Sequence, residues 1–326
     1  MQVREAGLAR RMDPLGCDTE LALTGVFYPV GFPLRITTNS ADVMEAAAES
    51  WAPFARQFDP RPMRFRVVVE AAGDVAVEPT FRKQGQLLSF VSDARNFASG
   101  DCRTLSATMH LSQKTAEDHA VMRWFYLEAM AYMLLTQRYV VSLHAACVAR
   151  GDAGILICGK SAAGKSTLSF ACARAGFTYL ADDCTWLLAG RSDRIAIGKP
   201  HQVRFRHDVA RHFPELEGYV ASHQPNGKLS IEVPISLFPS VRTAQRCEIR
   251  ALVFVDRESG GAPRLERVTS AGAAEMLLAD LPSYGPEVNA VHEATVRSLA
   301  ELPGWTLHYR ELDEAIALLR ELPVAG

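Results

Sequence analysis

Residues 155–174 of this chain, ILIC-GKSAAGKS-TLSFACAR, place a phosphate-binding pattern between a strand-like and a helix-like segment. Residues 159–166 fit G-x-x-x-x-G-K-[ST], the pattern of a loop that holds the phosphates of a nucleotide. The apolar run at 155–158 predicts a β-strand, and residues 167–174 predict an α-helix. An ordinary glycine-containing turn is the alternative, and the flanking strand and helix favour the phosphate loop.

The residues of this loop have separate chemical tasks. Its glycines allow backbone N–H groups to curl around a phosphate. Lys165 would place a positive charge on the β and γ oxygens, and Ser166 would offer its hydroxyl to Mg²⁺. We therefore predict that the chain binds ATP and Mg²⁺. The predicted nucleotide-binding residues are Gly159, Lys160, Ser161, Ala162, Ala163, Gly164, Lys165, Ser166 and Thr167.

The composition is that of a globular protein with one large or two modest domains, since the chain has 326 residues. Its 35 Lys and Arg against 37 Asp and Glu give a net charge of −2, so neither nucleic acid nor an anionic membrane is an expected partner. Its seven cysteines lack C-x-x-C spacing and predict free buried thiols in a reducing cytoplasm. The N-terminus is charged without a following apolar region, so no secretory signal is expected.

Residues 1–138 predict a smaller α+β domain. Short apolar alternation at 34–37 and 63–69 predicts two strands. Ser40 is a candidate cap for a first helix. The apolar residues on one face of that helix are Val43, Ala47 and Trp51.

A second helix is predicted over residues 115–138, opening at Thr115-Ala116-Glu117-Asp118, which resembles a capping box. Arg123 and Glu128 interrupt its apolar stretch well short of a membrane span. The helix is therefore expected to pack within the protein. Its aromatic residues, interpreted as core and not as a ligand cage, are Trp124, Phe125, Tyr126 and Tyr132.

Residues 139–326 predict an α/β domain in which the phosphate loop belongs to a mixed sheet. A strand at 140–148 and the strand before the loop are joined by the short turn Arg150-Gly151-Asp152, and such a turn joins antiparallel strands. The predicted fold class is therefore α/β, a P-loop domain with a mixed sheet preceded by the α+β domain. The other predicted strands are 177–181, 195–197 and 252–255, and the later helices are 271–281, 286–299 and 313–322.

Two adjacent acids, Asp182 and Asp183, follow the strand predicted at 177–181. One carboxylate at such a position can bind Mg²⁺, while a neighbour with a raised pKa can transfer a proton. A turn-capping aspartate before Thr185 is the alternative. The phosphate loop nearby favours the functional interpretation.

The segment Leu143-His144-Ala145-Ala146-Cys147-Val148, the loop and Leu180-Ala181-Asp182-Asp183 together resemble the catalytic domain of HPr kinase/phosphorylase and related proteins. The resemblance covers roughly residues 140–260. It implies a P-loop fold related to phosphoenolpyruvate carboxykinase and transfer of a nucleotide phosphoryl group to a protein serine.

Carried over residue by residue, the resemblance makes Lys165 the phosphate clamp, Ser166 a Mg²⁺ ligand and Asp182 the base. Asp183 would hold metal or water. In that family the histidine at the position of His144 supports the acid at the reaction centre. A hydrogen-bonded core histidine is the alternative.

The chain departs from that family after the acids. The signature E-[VI]-R-G-L-G is absent, and Gln202-Val203-Arg204-Phe205 stands at a comparable position, so metal binding there and phosphorylase activity are not implied. Arg204 and Arg206 either reach phosphate or face solvent. The turn Asn226-Gly227-Lys228 resembles a lysine-bearing loop of the family, in which Lys228 would neutralise transition-state charge. A plain hairpin turn with an exposed lysine is the alternative.

The leading hypothesis is an ATP-dependent kinase of HPr-kinase-like type that acts on a hydroxyl, a serine of a protein or peptide by resemblance. One alternative is a nucleotide-binding regulatory or scaffold module without transfer. Another is a kinase for a small-molecule hydroxyl, because the phosphate loop does not select the acceptor. A homo-oligomer is kept as an alternative to a monomer because the family is often oligomeric. The histidines show no metal-ligand spacing, so no zinc is predicted.

Overall fold

The structure is a computed structural model that describes residues 18–206, 209–223, 227, 229–257 and 261–323. These residues form a mixed α/β fold with three β-sheets. The strands are β1 (Leu23–Phe27), β2 (Leu34–Thr38), β3 (Met63–Glu70), β4 (Thr80–Gln84), β5 (Leu87–Val91), β6 (Phe97–Asp101), β7 (Ser106–Ser112), β8 (Val140–Leu143), β9 (Ala146–Arg150), β10 (Ala153–Cys158), β11 (Thr178–Ala181), β12 (Thr185–Leu188), β13 (Ile195–Ile197), β14 (Gln202–Phe205), β15 (Ser222–His223), β16 (Leu229–Pro234), β17 (Arg246–Asp256), β18 (Arg264–Val268) and β19 (Gly304–His308). The helices are α1 (Ala41–Trp51), α2 (Gln113–Glu117), α3 (His119–Val121), a π-helix (Met122–Glu128), α4 (Ala129–Thr136), α5 (Lys165–Arg174), α6 (Ser270–Ala279), α7 (Pro286–Leu299) and α8 (Leu312–Glu321).

The N-terminal part is a seven-stranded sheet in the order β1-β2-β3-β7-β6-β5-β4. Alternation along β3 buries Met63 and Phe65 and exposes Arg64 and Arg66, so one face of the sheet carries the core. That face packs against α1 and the π-helix. The strands predicted at 34–37 and 63–69 are confirmed.

The first predicted helix is also confirmed. Ser40 precedes α1 in the extended conformation of an N-cap residue, but its side chain makes no capping hydrogen bond to the helix backbone and donates to Asp42 Oδ2 instead (3.2 Å). The buried face includes the three predicted residues, Val43, Ala47 and Trp51.

The capping box predicted at Thr115–Asp118 is wrong. The helical stretch begins earlier, because the Ser112 side chain accepts a hydrogen bond from Thr115 N. Asp118 then leaves helical geometry, with φ −82° and ψ 83°, and caps α3 by accepting from Val121 N. A hydroxyl at the end of β7 therefore replaces the predicted cap. The stretch ends at Thr136, close to the predicted 138.

The second sheet has nine strands and is mixed, as predicted. Its path is β11-β9-β10-β17-β13-β12-β8, and β19 and then β18 continue from β17. β10 pairs in parallel with β17 and antiparallel with β9. The predicted hairpin at Arg150-Gly151-Asp152 is present between β9 and β10, with Gly151 at φ +60°.

The single strand predicted at 140–148 is interrupted. β8 ends at Leu143 and pairs with β12, whereas β9 begins at Ala146 and pairs with β11. The two chain segments, 140–150 and 178–188, thus form one antiparallel ribbon that is bent halfway, and we call it the kinked ribbon. At the bend Ala145 N donates to Leu143 O (2.9 Å) and Thr185 Oγ1 donates to Ala145 O (2.8 Å). These two hydrogen bonds take the place of ladder pairing at the bend.

The third sheet has the order β14-β16-β15, and its strand β14 packs on α5. Val203 and Phe205 of β14 are buried, and the Phe205 and Phe170 rings meet edge to face with centroids 5.3 Å apart. This packing fixes β14 beside the kink of the ribbon.

The two predicted domains, 1–138 and 139–326, share a hydrophobic core. The cluster around α1 and the π-helix continues into the nine-stranded sheet through Val140, Trp186 and Ile197. The boundary between 138 and 139 stays a prediction.

Two expectations from composition concern cysteines and membranes. The six cysteines in the described part of the chain are free, and three of them, Cys147, Cys158 and Cys172, are buried, while the other three are half-buried. Cys17 lies outside the described residues. Among the described residues, none of the helices combines the length and the apolar character that a bilayer crossing requires.

Candidate functional site

The phosphate-binding pattern forms a loop between β10 and α5, as the sequence predicts. Gly164 precedes α5 at φ +94° and Ala162 has φ +71°. Glycine adopts such a conformation freely, and for alanine it is strained. Strain in a loop before a ten-residue helix is compatible with a backbone shaped for an anion at the helix N-terminus.

Lys165 is buried under this loop, with 5% of its surface exposed. Its ammonium donates to Gly159 O (2.8 Å) and Lys160 O (3.2 Å). Burial lowers the pKa of Lys165 because a low-dielectric environment disfavours the charged form. Loop carbonyls therefore hold the side chain where phosphate oxygens could replace them.

The first turn of α5 touches the kinked ribbon. Ser166 Oγ donates to the backbone oxygen of Asp182 at 3.4 Å. Ser166 thus lies beside the two acids, which stand on the second bend of the ribbon between β11 and β12.

Asp182 is half-buried at this bend. Burial raises its pKa to about 6, and the neighbouring Asp183 charge adds to the rise. Its Oδ2 accepts a hydrogen bond from Arg204 N of β14 (2.9 Å), which opposes the rise and fixes the orientation of the carboxylate.

The pKa of Asp183 is shifted in the opposite direction from that of Asp182. Its Oδ1 lies 3.1 Å from His144 Nε2, and this hydrogen bond lowers the pKa of Asp183. The side chain of His144 is 38% exposed, so the alternative of a core histidine is wrong. The histidine contacts Asp183, whereas the resemblance implies support for the base, here Asp182.

These groups line a cavity of about 730 Å³, which we call the acid-pair cavity. Arg204 forms one wall: its Nε donates to Glu232 Oε2 (2.8 Å), and its guanidinium lies 5.0 Å from the centre of the Trp124 ring. Arg204 is half-buried and Arg206 is exposed, and both line this cavity, so contact of either arginine with phosphate stays a prediction.

Trp124 belongs to the π-helix and packs partly on the core, as predicted, yet it also lines the acid-pair cavity. Sequence reasoning missed this second role, as well as Glu232 and Arg257. For Trp124 the signal is weak, because π-helical turns, which are common at functional sites, have no simple sequence pattern. For Arg257 a signal exists: it follows the apolar end of β17, which pairs in parallel with β10.

A second cavity of about 740 Å³ lies on the other side of the loop, under α6, and we call it the α6 cavity. Arg257 lines both cavities. Its guanidinium lies 5.4 Å from the Tyr309 ring centre, and its Nη1 is 3.5 Å from the point where a Gly164 side chain would begin.

Two remaining expectations concern Lys228 and metal ligands. Lys228 lies outside the described residues, so its role stays a prediction. Within the described part of the chain, no group of three or more His, Cys, Asp or Glu side chains is arranged to hold a metal ion.

Comparison with known proteins yields a structural similarity alone. No protein-family model matches the sequence, and no curated protein matches it. Among solved structures, the chain is similar to the Hpr(Ser) kinase/phosphatase from Coxiella burnetii, with 13% identity and a TM-score of 0.30, over 57% of this chain and 99% of that chain. The similarity is distant, and by itself it says nothing about activity or site residues.

Proposed function

We propose that the chain is a phosphotransferase that moves the γ-phosphoryl group of ATP to a hydroxyl group. The observation that supports this most is that Lys165, Ser166 and two carboxylates with opposite pKa shifts line one cavity. A pair of acids whose environments separate their pKa values is suited to separate chemical roles.

Mg²⁺ fits the donor atoms at this site. Ser166 Oγ lies at the bend that carries the acids, and the lowered pKa keeps Asp183 anionic at neutral pH. Mg²⁺ is commonly bound by one or two carboxylates together with substrate phosphates. Ser166 and Asp183 would hold the ion, which would neutralise charge on the phosphates.

Asp182 is the proposed base. With its pKa near 6 it is mostly ionised at pH 7, yet basic enough to accept a hydroxyl proton as the oxygen attacks phosphorus and ADP leaves. Lys165 and the loop amides hold the β and γ phosphates in line during the transfer.

The acceptor is proposed to be a serine of a protein or peptide, on the basis of the sequence resemblance. A small-molecule hydroxyl is the second candidate, favoured by the volume of the acid-pair cavity, about 730 Å³, which is within the range of small-ligand sites.

The replacement Asp182→Asn tests the catalytic assignment. It keeps the shape of the side chain and removes the base. We expect ATP affinity within a few-fold of the parent and transfer lowered by a factor on the order of 10² to 10⁴. Asp152→Asn, in the exposed turn between β9 and β10, is the matched control and should transfer at the parent rate.

The transfer assay uses γ-labelled ATP, Mg²⁺ and a lysate of the source cell, because the acceptor is unidentified. A labelled protein supports the serine proposal, and a labelled metabolite supports the small-molecule acceptor. If the parent protein binds ATP and labels nothing, the result would contradict the phosphotransferase and support a regulatory nucleotide-binding module. If Asp182→Asn transfers phosphate at the parent rate, Asp182 is not the base, and its role is that of a turn residue.

A further inference from the structure

The two cavities beside the phosphate loop differ in charge. Lys165, Arg204 and Arg206 line the acid-pair cavity and do not line the α6 cavity. Ser166 also lines the acid-pair cavity alone. With Arg257, these cations outnumber the carboxylates of Asp182 and Asp183 in the acid-pair cavity, whereas Lys160 and Arg257 of the α6 cavity are matched by Asp256 and Asp280. Because a triphosphate carries several negative charges, its γ end is stabilised on the side with the excess of cations.

The α6 cavity has walls of another kind. Leu143, Phe254 and Leu277 give it apolar surface, and Met276, which also lines it, is 41% exposed. The carboxylate of Asp280 at its rim would repel phosphates and accept hydrogen bonds from hydroxyl or amino groups. An apolar cleft with a few polar groups is the usual form of a site for a neutral organic group.

The loop connects the cavities. Ser161, Ala162 and Arg257 line both of them, so a molecule whose phosphates lie in the loop can extend into either side. If the γ end points toward the acids, the rest of the molecule leaves the loop toward α6. The volume of about 740 Å³ is ample for a base and a ribose, given typical ligand sites of about 300–1,000 Å³.

We propose that the α6 cavity binds the nucleoside of the phosphate donor, with the base against Met276 and Leu277 and a sugar hydroxyl or base amino group donating to Asp280. Arg257 at the junction pairs with the phosphates that link the two cavities. The inference rests on the proposed function, since it presupposes a nucleotide in the loop.

The test compares ATP with inorganic tripolyphosphate, which has the phosphates but no nucleoside. Ala279→Phe places a ring in the α6 cavity from an exposed position at the end of α6. We expect it to weaken ATP binding at least about tenfold, the scale of a lost 1.4 kcal/mol, and to leave tripolyphosphate binding within twofold. Glu275→Phe, exposed on the same helix and outside the cavity, is the control and should change neither.

A second replacement protects the test against misfolding of the first. Asp280→Ala should weaken ATP binding and leave tripolyphosphate binding equal or tighter, because a repelling carboxylate is removed. Equal changes in affinity for both ligands, or no change in ATP affinity in either variant, would overturn the nucleoside site. In that case ATP binding by the parent protein would still support the proposed function. A parent that binds neither ligand would overturn both.

Discussion

Asp182 and Asp183 are chain neighbours, yet their protonation behaviour differs because of their surroundings. Burial raises the pKa of Asp182, and contact with His144 lowers that of Asp183. The bend between β11 and β12 turns one side chain toward β14 and the other toward His144. Two adjacent carboxylates can thus hold different protonation states at one pH.

The raised pKa of Asp182 predicts a pH dependence. Below pH 6 the carboxyl is protonated and cannot accept the hydroxyl proton, so transfer should rise as pH increases through about 6 and level off above 7. The measurement is kcat/KM between pH 5 and 8 at fixed ionic strength. A profile that is flat across this range would contradict the assignment of Asp182 as base.

Lys165 predicts a loss of binding. Lys165→Ala removes the buried ammonium next to the loop carbonyls, and charged hydrogen bonds are worth about 1.5–3 kcal/mol, so ATP affinity should fall roughly 10- to 100-fold. Lys114→Ala, on the surface of the N-terminal part, is the control. Titration calorimetry measures both, and unchanged ATP affinity in folded Lys165→Ala would refute the phosphate clamp.

Elements fixed by neighbouring residues were predictable from the sequence. The strand before the loop, the loop and α5 follow from glycine placement and apolar periodicity, and α7 was predicted at its observed bounds, 286–299. The break in the strand at His144 was not predictable, because Leu143-His144-Ala145-Ala146 contains no residue typical of a turn. The bend depends on a hydrogen bond from Thr185, which is distant in sequence. Likewise, Arg204 reaches the acids only because β14 packs on α5.

The contact between the end of β13 and β11 predicts a sensitive glycine. A side chain at Gly198 would begin 2.1 Å from Leu180 O, and backbone cannot move aside cheaply. Gly198→Ala should destabilise the fold by about 1–3 kcal/mol and, because Leu180 is two residues before Asp182, also slow transfer. Gly304→Ala in β19, whose nearest neighbour would be 3.7 Å away, is the control in thermal unfolding and transfer assays. Equal stability of the two variants would contradict this packing.

At the scale of the whole molecule, a largely buried ion pair joins the π-helix to the connection between β13 and β14. Lys199 Nζ lies 2.7 Å from Glu128 Oε2, with the side chains 19% and 15% exposed, and 4.3 Å from the centre of the Tyr132 ring. Burial alone would raise the pKa of Glu128, but the attraction and hydrogen bond of Lys199, together with the charges of Arg123 and Arg204, outweigh burial and lower the pKa. Both partners therefore stay charged at neutral pH.

Breaking this pair should be costly. Glu128→Gln leaves the Lys199 charge buried, so the free energy of unfolding should fall by about 3–5 kcal/mol, whereas Glu128→Leu with Lys199→Met should lose less. The exposed pair of Glu248 and Arg250 is the control, with Glu248→Gln costing less than about 1 kcal/mol. Because the folded pKa of Glu128 is lowered, its contribution is complete above the ordinary glutamate pKa and is lost as pH falls through the lowered value. Urea unfolding at pH 7 and below measures both effects, and a loss in Glu128→Gln no larger than in Glu248→Gln would refute the pair's role.

The kinked ribbon also bears on the order of events in folding. Its two chain segments, 140–150 and 178–188, flank the loop and α5 in sequence, and Thr185 contacts Ala145 across 40 residues of chain. Strand, loop and helix are local structure, whereas distant pairing forms slowly because chain closure has an entropic cost. A refolding chain would regain its helices before the acids reach the loop, so the return of nucleotide affinity would mark a late stage of folding.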